Sequence, residues 1–164
     1  MNWAYLHLVV NHFPIIGTII GSLLLIAGMA FKNQGIKIGG LGTLVFSALM
    51  SILAYFTGDP AEEAVKNHPD VARSLISLHE SLATISMYIL IPTGLIAATA
   101  IFSLLKKEKY PNLMIIITLV LALGSSSIMV FVGRTGGQIR HNEFRNEATK
   151  QYILQHQNDK EEDD

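Results

Sequence analysis

Four long stretches of this chain contain no charged residue. They are 19 to 25 residues long and lie at residues 13–31, 38–57, 81–105 and 113–132. A helix rises about 1.5 Å per residue, so roughly 20 residues cross a hydrocarbon core of about 30 Å. The runs are continuously apolar rather than alternating, and lipid offers the backbone no hydrogen-bond partners, which favours helices over strands. The sequence therefore predicts an all-α integral membrane protein with spans near 13–31, 38–57, 80–105 and 113–132.

The composition agrees with a membrane protein. Half of the 164 residues are hydrophobic and 15% are charged, whereas a soluble domain carries about 25% charged residues. The net charge of −1 gives no indication of nucleic-acid binding. There is no cysteine, which excludes disulfides, thiolate metal sites and cysteine-ligated iron–sulfur clusters.

The chain divides into a four-helix membrane domain, residues 1–142, and a polar C-terminal tail, residues 143–164, predicted to be amphipathic or disordered. Between spans two and three, Gly58-Asp59-Pro60 predicts a turn. Asp59 would cap a short polar loop helix over Ala61–Asn67, and Pro69 would end that helix. Helix three would then begin near Asp70.

Small residues recur at helical spacing in the spans. Examples are Gly17-x-x-x-Gly21 in the first span and Gly39, Thr43, Ser47 and Ser51 in the second. Such residues let membrane helices approach closely. We expect them mainly to pack the bundle, with association between copies of the chain as an alternative.

The two short loops are rich in lysine. Lys32 and Lys37 lie in the first, and the second contains Lys106-Lys107-Glu108-Lys109. Dense positive charge in short loops is typical of the cytoplasmic side. An even number of spans places both termini together, so we expect extracytoplasmic termini in a bacterial inner membrane.

Most of the histidines fall on the side of the termini. His7 and His12 begin the first span, His79 opens the third, His141 follows the fourth, and His156 lies in the tail. A single histidine near a membrane face is usually structural. Residues on separate helices at one depth are a better candidate for a site, and we expect His12, His79 and His141 to approach one another in one pocket.

Other functions lack their sequence signals. His79-Glu80-Ser81-Leu82-Ala83 lacks the second histidine of a zinc-protease helix, and there is no Gly-x-Ser-x-Gly turn. The centres of the spans carry no Asp, Glu, Lys, Arg or His, which disfavours ion-coupled transport. An electron carrier or binding protein is favoured over a catalyst.

Three histidine motifs occur in order along the chain: His7-Leu8-Val9-Val10-Asn11-His12-Phe13-Pro14, Leu78-His79, and Gly136-Gly137-Gln138-Ile139-Arg140-His141. Together they resemble a family of predicted bacterial membrane proteins known as domain of unknown function 2231. The resemblance covers roughly residues 5–142. It implies four helices and a histidine-rich face, and relatives fused to Rieske-type domains suggest redox chemistry.

Our leading hypothesis is a b-type-cytochrome-like protein that transfers electrons with a quinol or a periplasmic redox protein. Haem b would be held by His12 and His79, with His141 and His7 as substitutes or a second site. Arg134 and Arg140 would neutralise its propionates.

Two alternatives remain open at this stage. One is a zinc or copper site formed by His7, His12, His79 and His141, with Glu80 nearby. The other is a structural or assembly subunit without a cofactor.

Overall fold

The computed structural model describes residues 2–68, 71–108 and 111–156, and these ranges are almost entirely helical. The helices are α1 Trp3–Val10, α2 His12–Ala30, α3 Gln34–Val65, α4 Arg73–Lys106, α5 Pro111–Arg140 and α6 Glu147–Gln155, with a 3₁₀ turn at Asn142–Phe144. Pro69, Asp70 and the acidic residues 157–164 lie outside the described ranges.

Four helical segments are long and apolar enough to cross a membrane: Trp3–Ala30, Gln34–Val65, Arg73–Lys106 and Pro111–Arg140. The first combines α1 and α2, which are joined at Asn11. Helix α2 packs against α3, α3 against α4 and α4 against α5, and a further contact between α2 and α5 closes the bundle. The predicted all-α four-helix bundle is therefore confirmed.

The bundle interior holds small and polar residues beside leucines, and large apolar side chains cover its outside. Leu25, Leu41 and Leu44 are fully buried, whereas Leu23 is 61% exposed and Leu95 is 65% exposed. An outer surface this rich in apolar side chains is suited to lipid.

The small residues of the first span are used within the chain. A Cβ on Gly21 would lie 2.8 Å from Cγ of Leu44, and one on Gly40 would lie 2.8 Å from the Leu25 nitrogen. Glycine at these positions therefore permits the close approach of α2 and α3. Gly21 belongs to the predicted pair of small residues, whereas Gly39 of the predicted second-span series is exposed and Gly40 makes the contact.

The predicted turn at Gly58-Asp59-Pro60 is wrong. Helix α3 runs through these residues and ends at Val65, so Asp59 caps no separate loop helix. Pro60 lacks an N–H and cannot donate to the carbonyl four residues earlier. Thr57 and Ala61 on either side are buried against the bundle, and this packing favours the continuous helix over the turn that the local sequence suggests.

Helices α4 and α5 extend beyond the charge-free runs at the end of the bundle that holds the N-terminus, here called the terminal end. Helix α4 begins at Arg73, and α5 continues past Val132 to Arg140. The Ala72 backbone N–H donates to the Ile139 carbonyl at 3.0 Å. Arg145 donates through Nε to the Gln138 carbonyl and through Nη2 to the Ile139 carbonyl, both at 2.8 Å. These bonds satisfy carbonyls that a helix end leaves without partners.

The beginning of the tail is ordered as helix α6, which starts after Asn146. The Asn146 side chain accepts a hydrogen bond from the Thr149 N–H at 2.9 Å. This is the usual arrangement of an N-cap residue.

Candidate functional site

His7 is held between α1 and α3. Its ring is partly buried, and Nδ1 lies 3.1 Å from the Ala54 carbonyl oxygen and 3.0 Å from Oγ1 of Thr57. A carbonyl oxygen can only accept a hydrogen bond, so Nδ1 carries the proton. In the neutral ring, Nε2 then carries the lone pair.

His79 is held in the same way between α4 and α5. Its Nδ1 lies 3.0 Å from the Val132 carbonyl oxygen and 3.3 Å from Oγ1 of Thr135. The carbonyl again requires the proton on Nδ1, which leaves the Nε2 lone pair of the neutral ring available. Both imidazoles therefore have the hydrogen-bonding pattern common among metal-ligating histidines.

The two histidine rings are neighbours at the terminal end of the bundle. Their centroids are 6.4 Å apart and their planes meet at 83°. Metal–imidazole bonds are about 2.0–2.1 Å long for zinc, so two nitrogens on opposite sides of one ion are about 4 Å apart and their ring centroids on the order of 6 Å apart. The observed spacing is compatible with two ligands that share one metal centre.

Gly136 on α5 makes room for the His79 ring. A Cβ at this position would lie 3.1 Å from Cε1 and 3.3 Å from Nδ1 of His79. Of the two glycines in the Gly136-Gly137 motif, Gly136 is therefore the one that contacts the ring of His79.

The other two candidate histidines, His12 and His141, form hydrogen bonds to residues that lie two to four positions away in the sequence. The exposed His12 ring donates from Nδ1 to the Leu8 carbonyl in the preceding turn. His141 is exposed, and its Nδ1 lies 3.0 Å from Oε1 of Glu143. The Glu143 backbone N–H and the His141 ring hold the pKa of the Glu143 carboxyl below its ordinary value.

The structure therefore places His7, rather than His12, against His79. Within the described residues, neither a ring contact nor a hydrogen bond joins His12 or His141 to the His79 ring. The expected pocket of His12, His79 and His141 is replaced by a two-histidine site formed by His7 and His79. No group of three or more histidine, aspartate or glutamate side chains that could hold a metal ion occurs in the described ranges.

Arg134 and Arg140, the expected partners of propionates, have exposed side chains. Both belong to the part of α5 that extends past Val132. Arg134 directly precedes Thr135, which contacts His79, so the two residues lie at nearly the same height along the axis of α5.

Two buried oxygens on the histidine-bearing spans have no hydrogen-bond partner in the described ranges. Oδ1 of Asn11 lies one helical turn beyond His7, and Oγ of Ser86 lies two turns beyond His79 on the same helix face. A buried polar atom without a partner is costly. Other buried serine oxygens in the described ranges also lack partners, at Ser74, Ser103, Ser125 and Ser126.

The sequence reasoning missed Thr57 and Thr135. Each threonine is followed by glycine, as Thr57-Gly58 and Thr135-Gly136, near the end of the second and fourth spans. This repetition was a signal that could have indicated the partners of the two histidines.

Comparison with known proteins gives no match to a family model, a curated protein or a solved structure. The resemblance to the domain of unknown function 2231 therefore stays a prediction.

Proposed function

We propose that this protein is a membrane electron carrier that binds haem b between His7 and His79. The observation that carries the proposal is the pair of partly buried rings 6.4 Å apart, each with Nδ1 bound to a backbone carbonyl of another helix. Bundles hold haem through histidines on facing helices, and the two axial positions require two nitrogen ligands.

The number of ligands favours haem over a zinc or copper site of four histidines. Structural zinc takes four protein ligands and catalytic zinc three, whereas the described residues bring two imidazoles together and form no group of three. A haem iron already has four equatorial nitrogens from the porphyrin, so the protein needs to supply only two.

The protein's residues would have distinct tasks at this site. Ala54 and Val132 carbonyls hold the Nδ1 protons of the two rings, which keeps each Nε2 available as a ligand. Arg134 and Arg140, exposed at this end of α5, would bind the propionates. The haem, when bound, supplies a one-electron couple. No bond-making catalysis is proposed.

The proposed redox partners depend on the side of the membrane on which the site lies. His7 and His79 each precede a charge-free run at the terminal end of the bundle, opposite the end that carries the exposed Lys32 and Lys107. Lysine-rich turns favour a cytoplasmic location for that opposite end. We therefore place the site near the extracytoplasmic face of a bacterial inner membrane, within reach of a quinol or a periplasmic redox protein.

Absorption spectra of the detergent-solubilised protein from a haem-replete host test this proposal. We expect a Soret band and sharp reduced α and β bands in the wild type, and their loss in His79→Ala. His156→Ala is the matched control because His156 directly follows α6 and its Nδ1 lies 2.9 Å from the Tyr152 carbonyl of that helix. A colourless wild-type protein would refute the haem proposal. Metal analysis would then decide between a zinc or copper site lost in His79→Ala and a protein without a cofactor.

A further inference from the structure

The two histidines have partners of the same kind at the same spacing. His7 contacts the Ala54 carbonyl and the hydroxyl of Thr57, three residues later. His79 contacts the Val132 carbonyl and the hydroxyl of Thr135, again three residues later. In both cases, the histidine belongs to one helix and both acceptors belong to a second helix.

The two threonine hydroxyls also have equivalent partners. Oγ1 of Thr57 donates to the carbonyls of Leu53 and Ala54, both at 3.0 Å. Oγ1 of Thr135 donates to the carbonyls of Phe131 and Val132 at 2.9 and 3.1 Å. Because each hydroxyl proton points to its own helix backbone, the oxygen lone pairs are available to accept from the histidine Nδ1–H.

The opposite ends of the histidine-bearing spans are also alike. Lys32 and Lys107 both have positive φ, at 51° and 56°. The Asn33 N–H donates to the Gly28 carbonyl, and the Glu108 N–H donates to the Ser103 carbonyl, each at 3.0 Å. A hydrogen bond from an N–H to the carbonyl five residues earlier, with a left-handed residue just before the donor, is the Schellman motif of helix ends. It occurs at the end of both histidine-bearing spans.

These correspondences divide the bundle into two equivalent halves, 3–65 and 73–140. Each half contributes one histidine near the start of its first span and one Thr-Gly pair near the end of its second. From this equivalence we infer that Thr57 and Thr135 are positioning residues. The hydroxyl oxygen of each threonine is the second acceptor for the Nδ1–H of its histidine, and it orients His7 and His79 as equivalent ligands of one centre. The identity of that centre as haem rests on the proposed function, whereas the orientation of the rings does not.

The threonine oxygen constrains the orientation of the imidazole ring in a way that the carbonyl alone does not. One acceptor fixes where Nδ1 lies but allows the ring to tilt about that bond. A second acceptor, on the next turn of the same helix, restricts the tilt and therefore the direction of Nε2. Partners of this kind typically change metal affinity by about 10–100-fold when they are removed.

The experiment compares Thr57→Val and Thr135→Val, which keep the side-chain shape and remove the acceptor, with the corresponding serine variants, which restore a hydroxyl. Thr118→Val is the matched control. Thr118 is fully buried on α5, and its hydroxyl bonds to the Met114 carbonyl at 2.8 Å, with no histidine involved.

The first readout is the side-chain ¹⁵N spectrum of the haem-free protein in detergent. We expect both wild-type rings to have the proton on Nδ1, and each valine variant to shift the signals of its own histidine alone. A wild-type ring with the proton on Nε2 would overturn the inference without any variant.

The second readout is haem titration. We expect each valine variant to bind haem about tenfold more weakly, to a similar extent, with serine restoring affinity and Thr118→Val behaving as wild type. Equal affinities for wild type and both valine variants, or an effect at one threonine alone, would overturn the inference. If wild type binds no haem while the ¹⁵N spectra behave as expected, the proposed function fails and the positioning role stands.

Discussion

The rings of His7 and His79 lie 6.4 Å apart between centroids, with their planes at 83°. His7 is bonded to α3 and His79 to α5, so this contact brings together side chains anchored to both halves of the bundle. Any ligand shared by the two rings would therefore join the halves, and its binding would stabilise the folded protein.

We expect His7→Ala and His79→Ala to have the same effect on cofactor binding, because each removes one of two equivalent imidazoles. Haem retained during purification should fall by at least about tenfold in either variant. His12→Ala should retain haem, since the His12 ring is exposed and bonded to its own helix. The measurement is the ratio of Soret to protein absorbance. Loss of haem in His12→Ala with retention in His7→Ala would assign the ligand to His12 instead.

Adjacent glycines on α5 should respond oppositely to alanine. In Gly136→Ala, the new Cβ would lie 3.1 Å from Cε1 of His79, so the ring must move and its bond to Val132 weakens. Overpacking of this kind costs about 1–3 kcal/mol. At Gly137 the space is open, and alanine should stabilise the helix by about 0.5–1 kcal/mol. Unfolding in detergent measures both, and a stable Gly136→Ala variant with unchanged His79 signals would contradict the described packing.

The four spans could be predicted from the sequence because charge is excluded from the hydrocarbon core, which leaves uninterrupted apolar runs. The helix ends could not. Helix α3 passes through Asp59-Pro60 to Val65, where local turn signals are outweighed by the burial of Thr57 and Ala61. Tertiary packing decides such boundaries, and it is not encoded within a short stretch of sequence.

The composition of the candidate site depends on packing for a related reason. His79 lies at the terminal end of the bundle, and its ring contacts His7, whereas the sequence pattern favours His12. Residues five apart on a helix point about 140° apart, so only one of the two could face His79. Which one depends on the rotation of α1 and α2 in the bundle, and that rotation is set by contacts with α3 and α5.

We expect Arg145→Ala to loosen the end of α5. The side chain donates to the Gln138 and Ile139 carbonyls at 2.8 Å, and bonds from a charged donor contribute about 1.5–3 kcal/mol. Amide hydrogen exchange should therefore accelerate over residues 138–144. Lys150→Ala is the control, because Lys150 pairs with an exposed Glu147 on α6. Unchanged exchange in Arg145→Ala would show that the helix end is held by other contacts.

The absence of native cysteine allows a direct test of orientation. Lys107 and Gln151 are both exposed, and they lie at the opposite and terminal ends of the bundle. If the lysine-rich turns are cytoplasmic, a membrane-impermeant thiol reagent added to intact cells with a permeable outer envelope should label Gln151→Cys and leave Lys107→Cys unlabelled. Lysis should make both reactive, which controls for local accessibility. Labelling of Lys107→Cys alone in intact cells would reverse the orientation and place the His7–His79 site at the cytoplasmic face, where a periplasmic redox partner could not reach it.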